Sequence, residues 1–265
     1  MKNKVVLVSG ASSGIGFITA SYLYEQGYEV VGISRSYPKK EYAFKYQLCD
    51  ITDESQIDLL KKWLEQEYES IDILINSAGM GISGAIENTP FDQVKKIYDV
   101  NVFGHYLMTK SLLSLIRKSK GGRIINISSI ASDIALPFQA FYSMTKASID
   151  AFTKALYLEL KPFKIQVACL MPGDIKTDFT QNRTKPYQNE NHLYDERIKN
   201  SLMRMEKDEE NGMDPIRIAK KIYKMINQRK MPIRTTVGLS YKTIRVLQRI
   251  LPEKFIYFIV KKLYG

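Results

Sequence analysis

Short apolar runs alternate along the chain with longer segments in which apolar residues recur at helical spacing. Continuous runs of Val, Ile and Leu are typical of strands in a parallel sheet that is covered on both faces. The runs predict strands at Val5–Ser9, Val30–Ser34, Phe44–Leu48, Ile71–Asn76, Arg123–Ser128, Ile165–Leu170 and Ile233–Val237. Because helical segments separate these strands, we predict an α/β fold: a doubly wound parallel sheet with right-handed crossovers and helices on both faces.

Two of the predicted helices carry start signals. Thr89 and Pro90 offer a cap and a proline for the first helical position, and Asp214-Pro215 repeats the pattern. No internal repeat or low-complexity linker interrupts the chain. We therefore predict one domain over residues 1–265, with a substrate loop at 174–212 and a C-terminal helical extension at 238–265.

The composition is that of an ordinary globular protein, with 45% hydrophobic and 25% charged residues, which excludes a disordered or collagen-like chain. Cys49 and Cys169 give neither a metal-ligand spacing nor a disulfide framework, and this favours a reducing compartment. The apolar run Val5–Val8 is too short for a signal peptide. No apolar run reaches the roughly 18 residues of a membrane-spanning helix. We expect a cytoplasmic protein.

The net charge of +11 is concentrated in the C-terminal tail. Residues 229–265 carry nine Lys or Arg and one acid, Glu253, which leaves only +3 for residues 1–228. This distribution argues against a nucleic-acid partner. One helical face of Ser240–Leu251 is apolar and the others are basic, and the apolar run Phe255–Val260 precedes Lys261 and Lys262. The apolar face comprises Ile244, Leu247 and Leu251, and the basic residues are Lys242, Arg245 and Arg249.

Two interpretations of this tail stay open. In the first, residues 238–265 make a peripheral membrane contact, lying on anionic lipid without spanning it. In the second, the apolar residues pack on the body of the protein, on a partner subunit or at the substrate entrance. Broadly apolar helices are usually buried, which favours the second interpretation.

A glycine-rich loop, Ser9-Gly10-Ala11-Ser12-Ser13-Gly14-Ile15-Gly16, directly follows the first predicted strand and opens a helix. Glycines at such a place let the backbone turn tightly and approach a pyrophosphate, whose charge is stabilised by the free N–H groups of the helix start. The simpler alternative is a glycine-rich turn without a ligand. The spacing is Gly-x-x-x-Gly-x-Gly rather than the Gly-x-Gly-x-x-Gly of the standard dinucleotide fingerprint.

This loop resembles that of the short-chain dehydrogenase/reductase family, and the similarity continues to about residue 237. Asp50-Ile51, Asn76-Ser77-Ala78-Gly79, and Pro172-Gly173 with Thr177 resemble further motifs of that family. Ser9 and Ser77 depart from the family pattern, which has threonine and a second asparagine there, although Ser9 keeps a hydroxyl. The resemblance implies a Rossmann-like fold of about seven strands and a nicotinamide cofactor. The predicted cofactor-binding residues are Gly10, Ser12, Ser13, Gly14, Ile15, Gly16, Ser34, Arg35, Asp50, Ile51, Asn76, Ala78, Gly79, Tyr142, Lys146, Pro172, Gly173 and Thr177.

Tyr142 and Lys146 lie four residues apart at the start of a predicted helix, so their side chains share one face. A nearby ammonium favours the phenolate, and we expect Lys146 to bring the pKa of Tyr142 towards the working range. Such pairs are common by chance, but Ser129 ends a predicted strand 13 residues before Tyr142. The resemblance implies that Ser129 polarises a substrate carbonyl, that Tyr142 donates the proton and that Lys146 also binds the nicotinamide ribose. It implies that Asn101 holds a water that links Lys146 to solvent.

The end of the second predicted strand indicates which nicotinamide cofactor is used. An acid there would bind the ribose of NAD, but the chain has Ser34 followed by Arg35, with Lys39 and Lys40 nearby. A guanidinium suits a 2′-phosphate, which favours NADP(H). The alternative is that Arg35 stacks on adenine or stays solvated.

Residues 174–212 are polar with scattered apolar and aromatic side chains. In the resembling family this region covers the substrate, and its apolar members are compatible with a moderately hydrophobic carbonyl or alcohol; the alternative is a loosely packed surface helix. Members of that family with extensions similar to residues 238–265 act on steroids, retinoids and other lipophilic compounds, so the resemblance implies a steroid-, retinoid- or acyl-like ketone. The side chains concerned are Tyr187, His192, Tyr194, Leu202, Met203 and Met205. Neither His105 nor His192 is assigned a role.

The function predicted from these features is NADP(H)-dependent hydride transfer between a carbonyl and a secondary alcohol. A non-catalytic NADP(H)-binding sensor or scaffold with the same fold is the alternative, because fold does not fix function. No metal site is predicted. The resemblance further implies a homodimer or homotetramer.

Overall fold

A parallel sheet forms the centre of the computed structural model, which describes residues 3–185 and 192–264. The strand order is β3-β2-β1-β4-β5-β6-β7, so the direction in which strands are added reverses between β1 and β4. In open α/β sheets a crevice opens at that point, at the carboxyl ends of the strands. The doubly wound fold predicted from the sequence is confirmed. The strands are β1 (Val5–Ser9), β2 (Glu29–Ser34), β3 (Lys45–Leu48), β4 (Ile73–Asn76), β5 (Arg123–Ile127), β6 (Gln166–Pro172) and β7 (Arg234–Val237).

Helices connect the strands and cover both faces of the sheet. Asp214 accepts a hydrogen bond from the N–H of Ile216 at the start of the helix it was predicted to cap, at 2.8 Å. Thr89 does not cap its helix and donates instead to the carbonyl of Ala85. The helices are α1 (Gly14–Glu25), α2 (Glu54–Glu67), α3 (Phe91–Tyr98), α4 (Gly104–Lys118), α5 (Ala140–Glu159), α6 (Asp195–Glu210), α7 (Ile216–Ile226), α8 (Leu239–Ile250) and α9 (Glu253–Tyr264).

Successive side chains of the inner strands β1, β2, β4, β5 and β6 enter two separate cores. Val5 and Leu7 of β1 face the core that includes α2, α4 and α5, whereas Val6 and Val8 face the core that includes α1 and α7. This alternation follows from the two-residue period of a strand, and burial on both sides explains why the inner strands are mainly apolar. β6 runs to Pro172, beyond its predicted end, because β7 pairs with it up to that residue.

Much of the predicted substrate loop is an ordered helix. α6 buries Ile198, Leu202 and Met205, so it is not the loosely packed surface helix of the alternative interpretation. The segment before it pairs with the loop after β4 through hydrogen bonds between Thr184 and the backbone of Gly81 and Ser83. Tyr187 lies outside the described residues. α6 thus closes one side of the crevice.

The C-terminal extension forms α8 and α9, which we call the C-terminal helix pair. Ile244 and Leu247, on the predicted apolar face of α8, are exposed, so packing on the body is wrong for that face. In α9, Val260 is buried and does pack on the body. Within residues 3–185 and 192–264, each helix is too short or too polar to cross a bilayer. The exposed apolar side chains of the C-terminal helix pair are Leu239, Ile244, Val246, Leu247, Ile250, Phe255, Tyr257, Phe258, Ile259 and Leu263.

Candidate active site

A cavity of about 940 Å³ opens at the carboxyl edge of the sheet. The segments that follow β1, β2, β4, β5 and β6 line it, and α6 and the end of α9 complete its wall. One end is therefore formed by the glycine loop and the other by the region predicted to hold substrate. The predicted cofactor residues all line this cavity, with the exception of Asn76.

The glycine loop fits a bound pyrophosphate. Ser13 precedes α1 in an extended conformation without a side-chain capping bond, and no acid lies in the first turn. The first N–H groups of α1 are therefore left for an anion. Gly10 and Gly14 have φ values of +70° and +55°, and a Cβ on Gly16 would lie 2.2 Å from the carbonyl oxygen of Gly10. A side chain at position 16 would disrupt this cradle.

Ser9 ties the glycine loop to the loop after β4. Its hydroxyl oxygen accepts hydrogen bonds from the N–H groups of Ser77 and Ala78, at 3.1 and 3.3 Å. This link requires a hydroxyl, which serine and threonine both have. At position 77 it uses only the backbone N–H, so it does not depend on the side chain there. The two departures from the family pattern thus leave the contact between these strand ends intact.

A cluster of cations lies at the end of β2. Arg35, Lys39 and Lys40 line the cavity, and Arg35 has no ion pair within residues 3–185 and 192–264. The hydroxyl of Ser34 bonds that of Tyr46 at 2.6 Å. Asp50 also lines the cavity, where it accepts from the N–H and hydroxyl of the nearby Thr52. The charge at the end of β2 is therefore positive.

Asn76 does not line the cavity, contrary to the sequence prediction. Its side chain is fully buried, and Nδ2 donates to Thr109 Oγ1 at 3.0 Å and to Asn126 Oδ1 at 2.8 Å. These bonds join β4 to α4 and β5 in the interior. Asn76 is placed to hold the strand ends rather than to bind a cofactor.

Ser129, Tyr142 and Lys146 come together at the middle of the cavity. Tyr142 and Lys146 lie one turn apart on α5, and Lys146 Nζ is 5.6 Å from the centroid of the Tyr142 ring. The ammonium donates to the carbonyl oxygen of Ile127, at the end of β5, at 3.1 Å. The predicted juxtaposition is thus present in the fold.

Asn101 lies behind this group, in a π-helical stretch between α3 and α4 (Asp99–Phe103). Its Oδ1 accepts from the N–H of Met80 at 2.8 Å, and its Nδ2 donates to the carbonyl of Met80 and to Thr145 Oγ1. Such bulges frequently occur at functional sites. Asn101 links α5 to the loop after β4; its predicted role in holding a water stays a prediction.

Burial dominates the electrostatics of the central pair. It raises the pKa of Tyr142 to about 12; a hydrogen bond with Ser129 lowers this pKa, and Glu209 raises it further. Burial also lowers the pKa of Lys146 to about 8. The expectation that Lys146 brings the pKa of Tyr142 towards neutrality is therefore wrong for this structure. Tyr142 is a protonated phenol at neutral pH and is suited to donate a proton.

Residues that the sequence did not indicate line the far end of the cavity. Phe179 packs on Tyr142, with ring centroids 5.7 Å apart, and the guanidinium of Arg183 lies over the Phe179 ring. Arg183 forms a buried ion pair with Glu209 of α6. Phe179 and Arg183 lie only four residues apart, but Glu209 follows Arg183 by 26 residues, and no known motif marks the three.

His105 is a further residue that the sequence left without a role. Its ring is buried and bonds the carbonyl of Ala78 at 2.8 Å, and burial lowers its pKa to about 3. The neutral His105 ring therefore holds the backbone of the loop after β4 from the protein interior. The only sequence signal is its position, four residues after Asn101.

The family model of short chain dehydrogenases matches residues 4–188 of the chain. The chain belongs to the short-chain dehydrogenase family. It is an oxidoreductase of alcohol and carbonyl groups, a class whose cofactor is a nicotinamide dinucleotide.

Individual short-chain dehydrogenases resemble the chain over most of its length. A 3-ketodihydrosphingosine reductase from Bacteroides thetaiotaomicron is 38% identical, over 90% of this chain and 89% of that protein. The structure of a short-chain dehydrogenase from Streptomyces avermitilis has a TM-score of 0.81 at 27% identity, covering 99% and 98% of the two chains. A 3-ketoacyl-(acyl-carrier-protein) reductase from Brucella melitensis, complexed with NADH, has a TM-score of 0.73 at 25% identity, covering 89% and 97%.

The pKa of Lys146 predicts how the rate of this dehydrogenase depends on pH. Because that pKa is lowered to about 8, the ammonium is present at pH 7 and is lost as the pH rises through 8. Tyr142 stays protonated up to about pH 12, so its titration does not contribute. We expect kcat/KM for ketone reduction to be flat from about pH 6 to 7.5 and to fall by about tenfold per pH unit well above 8. Initial rates at saturating cofactor measure this, and a rate that is constant up to pH 10 would contradict it.

Proposed function

We propose that this short-chain dehydrogenase uses NADPH to reduce the ketone of a lipid-like substrate, of the kind that 3-ketodihydrosphingosine represents. One observation carries the proposal: Ser129, Tyr142 and Lys146 line the same cavity as the glycine loop and α6. The 38% identity to a 3-ketodihydrosphingosine reductase supports the substrate class.

The residues of this chain supply the proton and the orientation for the reaction. When bound, the nicotinamide supplies the hydride that reaches the carbonyl carbon. Ser129 donates a hydrogen bond to the carbonyl oxygen, and Tyr142 gives that oxygen its proton, so that a ketone becomes a secondary alcohol. The ammonium of Lys146 stabilises the phenolate that the proton transfer leaves on Tyr142. Asn101 acts as a positioning residue, because its bonds join α5 to the loop after β4.

The choice of NADPH is supported by the cations at the end of β2. Arg35, Lys39 and Lys40 line the cavity, and no acid stands at Ser34 to bind a ribose 2′-hydroxyl. A guanidinium without an ion pair can bind a phosphate with two parallel hydrogen bonds. This arrangement favours a 2′-phosphate over a free hydroxyl.

The far end of the cavity suits a ketone with an apolar chain. Leu136, Phe179 and Met205 supply apolar surface beside Tyr142. The acids there already have partners, because Glu209 pairs with Arg183 and Asp174 bonds the Tyr241 hydroxyl.

An assay of ketone reduction tests the proposal. The purified protein is incubated with NADPH or NADH and with either 3-ketodihydrosphingosine in detergent micelles or small water-soluble ketones. We expect oxidation of NADPH with the long-chain ketone at a kcat/KM at least about tenfold above that with the small ketones, because the buried chain adds binding energy. Tight NADPH binding without turnover of any ketone would instead favour the non-catalytic sensor, and a preference for small ketones would overturn the substrate class.

A further inference from the structure

The face of α8 that contacts the body of the protein is polar. Tyr241, Arg245 and Gln248 recur at helical spacing along it. Gln248 Nε2 donates to the carbonyl of Asp133 at 2.6 Å, and Arg245 Nη1 donates to Thr236 Oγ1 at 3.1 Å. In water, an amphipathic helix normally turns its apolar face to the core and its polar face outwards. α8 is therefore oriented the opposite way.

The outer face of α8 is correspondingly apolar. Leu239, Val246 and Ile250 are exposed by 81%, 55% and 73%. In α9, Ile256, Val260 and Tyr264 turn inwards, which leaves Phe255 and Phe258 outside. Together, the two outer faces expose large apolar side chains between Leu239 and Leu263. Exposed apolar surfaces of this kind are typical of interaction sites.

The charge of the C-terminal helix pair favours one kind of occupant. Residues 239–264 carry six Lys or Arg and one acid, Glu253, a net charge of +5. Lys242, Lys254, Lys261 and Lys262 are exposed beside the apolar side chains. A two-fold contact between two copies would place the same positive patch on both sides, which costs electrostatic free energy. An anionic bilayer surface offers an apolar layer and a negative charge together.

The inner side chains of the C-terminal helix pair reach the active-site cavity. The Tyr241 hydroxyl bonds Asp174, and the Tyr264 hydroxyl donates to Asp208 of α6 at 2.9 Å. Tyr264 and Asp174 both line the cavity. The outer apolar surface thus lies on the opposite side from Tyr264, which lines the cavity, and from Tyr241, which contacts the lining residue Asp174.

We propose that the outer face of α8 and α9 lies on an anionic lipid bilayer, with its apolar side chains at the boundary of headgroups and acyl chains and its lysines at the phosphates. The active-site cavity then lies on the other side of the two helices from the membrane surface. This docking is independent of the substrate proposed above, because it uses only the outer face.

Vesicle co-sedimentation of the full chain tests the docking. Vesicles of phosphatidylcholine alone are compared with vesicles that also contain phosphatidylglycerol. We expect binding to the anionic vesicles that decreases at high salt. The double variant F255E/F258E should bind at least about tenfold more weakly, since it loses two apolar side chains from the bilayer contact. The variant K261Q/K262Q should bind the anionic vesicles about tenfold more weakly.

Leu59→Glu is the matched control, because Leu59 is 65% exposed on α2, on another part of the surface. It should bind vesicles like the wild type. NADPH affinity and thermal unfolding show whether each variant is folded, and K261Q/K262Q keeps the test decisive if the phenylalanine variant does not fold. Absence of vesicle binding by the wild type, or equal binding by folded variants, overturns the proposal. A second outcome also overturns it. In that outcome the wild type does not bind vesicles, and light scattering shows that it is an oligomer that dissociates in the F255E/F258E variant.

Discussion

Replacing Tyr142 with phenylalanine is expected to lower kcat for ketone reduction by a factor of about 10² to 10⁴. The substitution removes only the hydroxyl that supplies the proton. The ring remains packed on Phe179, 5.7 Å away, so the folded structure and the cofactor end of the cavity are preserved. Stopped-flow and steady-state rates with NADPH measure the loss, and fluorescence titration measures the affinity for NADPH, which should change by less than about threefold.

Tyr157→Phe is the matched control for this experiment. Tyr157 lies on the same helix, α5, but packs on the core away from the cavity. This variant should keep the wild-type rate within about twofold, since surface and peripheral substitutions usually have small effects. If Tyr142→Phe retained more than a tenth of the wild-type kcat, another group would have to supply the proton, and the mechanism proposed here would be abandoned.

Replacing Arg35 with alanine is expected to weaken NADPH binding by about 10- to 100-fold, the effect of losing charge-assisted hydrogen bonds to a phosphate. Binding of NADH should change little, because NADH has no 2′-phosphate for the guanidinium to contact. Isothermal titration with both cofactors measures the two dissociation constants. Arg35 is exposed, and its removal leaves no buried group without a partner.

The comparison between cofactors separates phosphate recognition from stacking. If Arg35 stacked on adenine, as the alternative interpretation holds, Arg35→Ala would weaken both cofactors equally and NADPH recognition by this residue would be excluded. Lys62→Ala, which removes an exposed cation from α2 outside the cavity, is the control and should leave both affinities unchanged. Ser34→Asp places an acid at the end of β2 and should shift the preference towards NADH.

Features that depend on local chain periodicity could be predicted from the sequence. Each strand of the sheet was found within a few residues of its predicted position, and the inner strands are mainly apolar because they are buried on both faces. The pairing of Tyr142 with Lys146 follows from one helical turn, and the place of Ser129 follows from the end of a strand. These relations need no knowledge of distant contacts.

Features that depend on distant contacts could not be predicted. The side chain of Asn76 turns inwards because its partners, Thr109 and Asn126, come from other elements. The pKa of Tyr142 depends on burial, on the hydrogen bond with Ser129 and on Glu209, which enters the site from a different part of the chain. The orientation of α8 likewise depends on hydrogen-bond partners outside the helix, which its own hydrophobic pattern does not reveal.

The bonds from Tyr241 to Asp174 and from Tyr264 to Asp208 attach the last two helices to the rest of the protein. Shortening the chain at the end of β7 would remove part of the enclosure around the reacting ketone and admit water there. The 26 residues from Leu239 to Tyr264 therefore combine an inner side, from which Tyr264 lines the cavity, with an outer side that we propose to lie on lipid.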